Sequence, residues 1–448
     1  MHTLEQLRAG QLTGTHRLDL AAGLTEFPPE IFDLADTLKV LNLSGNALSA
    51  LPDDLHRLHR LRVLFCSDNQ FTAVPAGLGK CPQLSMVGFK ANQIRTLPAA
   101  ALPPALRWLI LTDNQLETLP PEIGNCKNLQ KLMLSGNRLR ALPAALAACT
   151  ELELLRIAAN QLPELPAWLL TMPRLAWLAF AGNPFCALAE AAVHDGIATI
   201  GWEQLTVEQP LGEGASGVIY RAQWRRENAP PAAVAVKLFK GALTSDGLPH
   251  SEMAACMSAG AHPNLIAVAG KVSHHPAGAE GLVLELISPA FHNLAGPPSL
   301  ASCTRDVYAS GTTFPVATAL SIALGIAAAT EHLHARGILH GDLYAHNILS
   351  TPAGDALLGD FGAACFFPPA NATAAALQRL EARAFACLLE ELGAHCAADT
   401  APAARTTLTA LRELQQRCGQ PAVADRPLFA EIRQTLARLR ESWPAVVK

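Results

Sequence analysis

Apolar residues in the first 190 positions recur in a long frame. Around position 137 the frame reads L-x-x-L-x-L-x-x-N-x-L-x-x-L-P, carried by Leu129, Leu132, Leu134, Asn137, Leu142 and Pro143. Asn46, Asn69, Asn92, Asn114, Asn137, Asn160 and Asn183 lie 23, 23, 22, 23, 23 and 23 residues apart. One more step of 23 back from Asn46 reaches Gly23, so an eighth, degenerate copy comes first. Leu at alternating positions points one face of a short strand into a core shared with the neighbouring copies. The Asn side chain can hydrogen-bond backbone groups of the adjacent turn, and the Pro ends the strand. Each copy buries its face only against its neighbours, which predicts a curved solenoid with an extended concave surface. Cys126 and Cys149, also 23 apart, read as small core residues at equivalent sites.

Beyond Ala189 the frame stops, and an Ala-rich connector over 189–203 leads to a different pattern. Two β-rich stretches, Leu205–Pro210 and Val218–Gln223, flank Gly212, Gly214 and Gly217. The glycines would let a hairpin turn bring backbone N–H groups onto phosphates; a dinucleotide fingerprint would need a helix next. Lys237 ends the apolar strand Val234-Ala-Val-Lys237 and, if buried, needs a partner. Glu252, in the helical stretch Ser251–Ser258, is placed to supply it. The apolar run Gly281–Ile287 reads as a strand. Phe314–Thr330 reads as a buried helix, since it begins beside Pro315 and is shorter than the roughly 20 residues of a membrane span.

Composition narrows the setting. Half the residues are apolar, 16% are charged and the formal net charge is −4, without a block of five Lys or Arg. Nucleic acid and anionic membrane surfaces are therefore poor partners. Eleven Cys without a C-x-x-C pair suit a reducing compartment. Met1–Gln11 lacks the apolar core of a signal peptide, so a cytoplasmic protein is expected. The Ala-rich composition is consistent with a GC-rich, bacterial genome.

The repeat resembles the leucine-rich-repeat superfamily in its 23-residue class. The second half resembles the protein kinases, with motifs in the family's order. Leu211-Gly-Glu-Gly-Ala-Ser-Gly-Val-Ile-Tyr220 is similar to the glycine-rich loop and Val234–Lys237 to the lysine strand. His340-Gly-Asp342-Leu-Tyr-Ala-His-Asn347 resembles the catalytic loop, Asp360-Phe-Gly362 the metal-binding triplet, and Cys418 with Arg426-Pro427-x-Phe429 the closing helices of tyrosine-kinase-like members. The resemblance implies an α/β leucine-rich-repeat solenoid of about eight repeats over 1–188, then a two-lobed α+β kinase fold over 204–448. It also implies ATP and Mg2+. Leu211, Gly212, Gly214, Gly217 and Ile219 would cover the nucleotide, and Ala235 and Leu349 would sandwich the adenine. Leu284 would stand at the gating position and Glu285 on the hinge strand. Lys237, paired with Glu252, would hold the α- and β-phosphates. Asp342 would accept a hydroxyl proton, while Asn347 and Asp360 hold magnesium.

Several positions depart from that pattern. Gly341 replaces the catalytic-loop Arg that in the family answers a phosphate on the activation loop. Tyr344 replaces the Lys of serine/threonine kinases, and His346 stands where tyrosine kinases have Arg. Leu380–Leu392 resembles the long buried helix of the large lobe, but only the 18 residues Ala363 to Leu380 separate it from the metal-binding triplet. No A-P-E occurs there, so Arg426 needs another partner than the usual Glu. Two readings stand: an active kinase, of Ser/Thr or dual type, with a repeat arm for protein interaction, or an ATP-binding pseudokinase scaffold whose arc binds a partner. The concave rows hold Met86, Trp108, Met133 and Trp177, an apolar face expected to dock a partner protein or the protein's own kinase domain.

Overall fold

The structure is a computed structural model. It describes residues 2–187, 190, 198–214, 216–227, 229–241, 243–244, 246–370, 372–398 and 401–443. Most of the connector expected over 189–203 lies outside them. The chain divides into two compact units: Met1–Arg174 with Asn183–Phe185, and Leu175–Gly182 with Cys186–Lys448.

In the first unit each repeat contributes one three-residue strand. These are β1 (Arg17–Asp19), β2 (Val40–Asn42), β3 (Val63–Phe65), β4 (Met86–Gly88), β5 (Trp108–Ile110), β6 (Lys131–Met133) and β7 (Leu154–Arg156). They pair in parallel in chain order, with equivalent repeat positions opposite one another, as in Met86 opposite Trp108 and Trp108 opposite Lys131. The Pro of the L-P step does not end the strand, contrary to what the spacing suggests: it stands ten residues past it, where Pro120 and Pro143 lead into the short 3-10 helices Pro121–Asn125 and Ala144–Ala148, its fixed φ suiting a helix start. The asparagines form the ladder that the spacing predicts. Asn137 Oδ1 accepts from the Leu116 N–H of the preceding repeat at 3.0 Å, and its Nδ2 donates to the Leu111 and Leu134 carbonyls. Asn69, Asn92, Asn114, Asn160 and Asn183 repeat this bonding. Buried backbone groups at every turn are thus satisfied by one residue type at one spacing.

The concave rows are less exposed than their composition suggests, because Val63, Met86, Met133 and Leu154 are buried. Large side chains cover small neighbours: a Cβ at Gly88 would lie 2.6 Å from the Phe65 ring. Phe65 meets Trp108 edge-on at 6.5 Å, and the Lys131 ammonium sits 4.4 Å over the Trp108 ring. Phe65, Trp108 and Ile110 remain half-buried.

The second unit opens with the strand of the last repeat, β8 (Trp177–Ala179). Its small lobe is a mixed sheet of β9 (Thr199–Gly201), β10 (Leu205–Glu213), β11 (Gly217–Trp224), β12 (Ala232–Phe239), β13 (Val268–Ser273) and β14 (Gly281–Glu285), in the order β10-β11-β12-β14-β13-β9. Residues 199–201, expected as connector, instead form a parallel edge strand on Lys271–Ser273. Ile200 draws them in by joining the core of Leu205, Val234, Val236, Val272 and Val283. Helix Pro249–Ala259 packs through Met253 against Phe239 and Leu282.

Helix Val316–Ala335 is long and apolar enough to cross a membrane by length and composition alone. Here it forms the middle of the large lobe, with 12 of its 20 residues buried. Pro315, at its N-cap, starts it. Helices Ala374–Ala394, Pro402–Cys418 and Phe429–Ser442 complete the lobe.

Candidate active site

The glycine-rich segment is a hairpin, as the flanking strands predict, closed by a Gly214 N–H to Gly217 carbonyl bond of 2.9 Å. Gly217 is required by the fold itself, since a Cβ there would lie 2.4 Å from the Leu238 carbonyl oxygen. Gly212 and Gly214 are different: a Cβ at either would meet no protein atom within 4 Å. Packing does not explain those two glycines; the space beside them is open, and at Gly214 it faces the cavity that Lys237 also lines.

Lys237 sits on β12 opposite Ile219 and Leu282, which carries its side chain inward. Its Nζ donates to Glu252 Oε1 from helix Pro249–Ala259; the two side chains are 11% and 3% exposed. Burial opposes the Lys237 charge, but the Glu252 and Asp360 carboxylates more than offset it and raise the ammonium's pKa. Glu252 Oε2 is buried and makes no hydrogen bond within the described residues. Gly214, Gly217, Ile219, Lys237, Glu252 and Asp360 line a single cavity, together with Leu284. Five other expected nucleotide contacts do not line it. Leu211 is 50% exposed, and Gly212 pairs with Ile219 with open space where a side chain would be. Ala235 is packed against its strand partners, Leu349 pairs with Asn293 and Leu357, and Glu285 borders a neighbouring hollow with Leu286 and Ile287.

The catalytic-loop segment turns through a 3-10 helix, Ala345–Asn347. Asn347 Nδ2 donates to the Asp342 backbone carbonyl at 2.9 Å and to Asp342 Oδ2 at 2.8 Å, which orients that carboxylate. Asp342 is partly accessible. His340 Nε2 lies 2.9 Å from the Gly359 carbonyl, and its ring packs at 5.1 Å against Phe361. Asp360 adopts φ +53° and accepts from the Gly362 N–H at 3.1 Å. A carboxamide and a carboxylate that present hard oxygens suit a magnesium ion arriving on phosphate.

Three sets of supporting contacts are not visible in the sequence. Glu381, 1% exposed, accepts from the Gly341 N–H at 2.7 Å and the His340 N–H at 3.4 Å, and lies 2.7 Å from His334 Nε2. Burial opposes the Glu381 charge, yet His334 and the Gly341 N–H hold its pKa below the ordinary value. Its signal was an acid flanked by apolar residues near the start of Leu380–Leu392, apart from the pair Glu390–Glu391 at the end. Asp306 bonds His346 twice, to Nδ1 at 2.7 Å and to the backbone N–H at 3.0 Å. Burial would lower the His346 pKa, and the bond to Asp306 reverses that. Buried Arg426, deprived of the usual Glu, donates to the Gln420 and Arg379 carbonyls at 2.8 and 3.3 Å.

Residues 205–381 match the family described as "Protein tyrosine and serine/threonine kinase", and residues 37–58 and 104–162 match leucine-rich repeats. This chain is a leucine-rich-repeat protein with a protein kinase domain. Among similar proteins, "Serine/threonine-protein kinase PkaA" of Streptomyces coelicolor is 33% identical over 172 residues, 35% of this chain and 29% of that protein. "Probable serine/threonine-protein kinase gdt4" of Dictyostelium discoideum is 29% identical, over 34% of this chain and 8% of its own length. "Serine/threonine-protein kinase mos" of Gallus gallus is 27% identical, over 37% and 48%. The matched region spans less than half of each relative. Protein kinases as a family use ATP and Mg2+, and leucine-rich repeats are in general protein-interaction modules.

Proposed function

We propose that this protein is a cytoplasmic Mg-ATP-dependent kinase that phosphorylates a protein hydroxyl, of Ser/Thr or dual type, with its repeat arm as the protein-binding part. The observation that carries the reading is the Lys237–Glu252 pair, in one cavity with Asp360 and the glycine hairpin. Lys237 and the hairpin N–H groups would bind phosphate, and Asn347 and Asp360 would hold magnesium. Bound Mg-ATP supplies the phosphoryl group and spreads its developing charge. Asp342, aimed by Asn347, orients the acceptor hydroxyl and takes its proton. On the arm, half-buried Trp108 with Phe65 is the proposed anchor on the concave face, Met86 and Met133 lying beneath the surface. A second reading, an ATP-binding scaffold, draws support from Gly341 and from Tyr344, which is only 5% exposed.

The test is titration of the full chain with Mg-ATP beside transfer from γ-labelled ATP. Lys237→Ala is expected to weaken ATP binding at least tenfold, about 1.4 kcal/mol. It also strands the buried Glu252, although burial already pushes that carboxyl up to about 7, so proton uptake offsets part of the cost. The nucleotide-induced rise in Tm should shrink accordingly. Unchanged ATP affinity would rule out this site.

Regulation gives a separate expectation. Thr373 is the sole hydroxyl residue between Gly362 and Glu381. Thr373→Ala should leave transfer within about twofold, too small for loss of a group acting in the transition state, where tenfold is 1.36 kcal/mol. A drop beyond tenfold would mean that phosphorylation at Thr373 holds the segment.

A further inference from the structure

Two features of the catalytic loop have no counterpart in the reaction. Gly341 adopts φ +74°, and a Cβ on it would lie 2.5 Å from the Ala363 carbonyl oxygen and 2.7 Å from that of Leu178. Tyr344 stacks on Trp177, ring centroids 4.2 Å apart and planes 6° from parallel. Trp177 is 1% exposed, and its Nε1–H donates to the Leu343 carbonyl at 3.1 Å. Three residues on, the Phe180 N–H donates to Cys365 Sγ at 3.0 Å. Cys365 belongs to the strand Cys365–Phe366, which pairs with Ile338–Leu339 immediately before the loop. All these residues lie within one compact unit, since Leu175–Gly182 groups with the kinase fold.

We propose that the last repeat strand, Trp177–Ala179, with Phe180 after it, is a built-in brace of the catalytic loop, with Trp177 as a positioning residue for Asp342. The proposal rests on the kinase reading above. Leu343 and Tyr344 directly follow Asp342, and the Tyr344 N–H donates to the Asp342 carbonyl at 2.9 Å. Trp177 pins that pair by a ring and a directed N–H, while Asn347 pins Asp342 itself. A buried indole N–H needs an acceptor, and this one takes a carbonyl of the catalytic loop itself, so satisfying Trp177 also fixes the residue next to Asp342. The strand backbone also fills the space beside Gly341, where the family's Arg would start. Loop and post-triplet segment are thus both tied to a strand that is always present, and no added phosphate is needed to order them. Trp177 touches no nucleotide-facing residue described above, so its effect falls on the chemical step and not on ATP binding.

The experiment uses the full chain carrying Trp177→Phe, which keeps a stacked ring and loses the N–H, and Trp177→Ala. Both are read by steady-state transfer, ATP titration and amide hydrogen exchange. Trp177→Phe is expected to lower kcat about tenfold with the ATP Kd changed less than twofold, and Trp177→Ala to lower it further. Exchange across 341–347 should speed at least tenfold in Trp177→Ala, with the strand Ala232–Phe239 unchanged. If Trp177→Ala does not fold, the same exchange comparison is made on Trp177→Phe, with a smaller, still measurable acceleration. Unaltered exchange across 341–347, or kcat unchanged with the loop loosened, overturns the brace. A wild type that binds Mg-ATP but transfers nothing overturns the kinase reading and with it the catalytic role, while exchange still decides whether Trp177 holds the loop.

Discussion

Asp342→Asn is expected to lower phosphoryl transfer by about 10²–10⁴-fold while leaving Mg-ATP binding within about twofold. The carboxamide is nearly isosteric with the carboxylate but cannot take the acceptor's proton. Asn347 Nδ2 would still donate to the backbone carbonyl of residue 342 and to the new amide oxygen, so the loop should keep its shape. Transfer is measured in the full chain with γ-labelled ATP and a protein acceptor, and binding by calorimetry. Asp360→Asn provides the contrast: it removes a charge from the cavity that also holds Lys237, and should weaken Mg-ATP binding as well as transfer. Equal, near-zero transfer by wild type and Asp342→Asn would establish the scaffold reading instead.

Restoring the family's arginine, Gly341→Arg, is expected to destabilise this protein rather than improve it. Any L-residue at φ +74° costs roughly 1–2 kcal/mol. The new Cβ would also press on two backbone oxygens, which belong to separate segments and cannot both yield cheaply; overpacking of this kind costs about 1–3 kcal/mol. A loss of about 3 kcal/mol lowers Tm by roughly 6–12 °C for a domain of this size. Gly341→Ala should show most of the same fall, because the clash begins at Cβ. Unchanged melting of both variants would show that strand Trp177–Ala179 does not lie against the loop.

These two predictions differ in where their grounds were legible. The first rests on residues visible in the chain: Asp342 and Asn347 are five apart, and Asp360 follows by thirteen. Such spacings survive in sequence because a single turn or hairpin sets the geometry. The repeat half was legible for the same reason. Each Leu and Asn acts on a neighbour about 23 positions away, so the period states the contact, and the Asn ladder follows from it. Charge burial made the Lys237–Glu252 pair readable too, since an apolar strand cannot hold a lone ammonium.

The second prediction depends on distances in sequence that no local pattern encodes. Trp177 meets Leu343 across 166 positions, Glu381 meets Gly341 across 40, and Asp306 meets His346 across 40. In sequence Trp177 is one of four concave residues expected to dock either a partner or the kinase domain, and only the packing reveals that its own strand groups with the kinase fold. Gly341 likewise reads as a lost arginine, whereas the structure makes it a glycine demanded by two carbonyl oxygens. Periodicity and short motifs by themselves determined the repeat architecture, the kinase lobes and the charged groups of the cavity. Tertiary packing alone decided what holds the catalytic loop in place, because such contacts depend on how distant elements stack and leave no periodic trace along the chain.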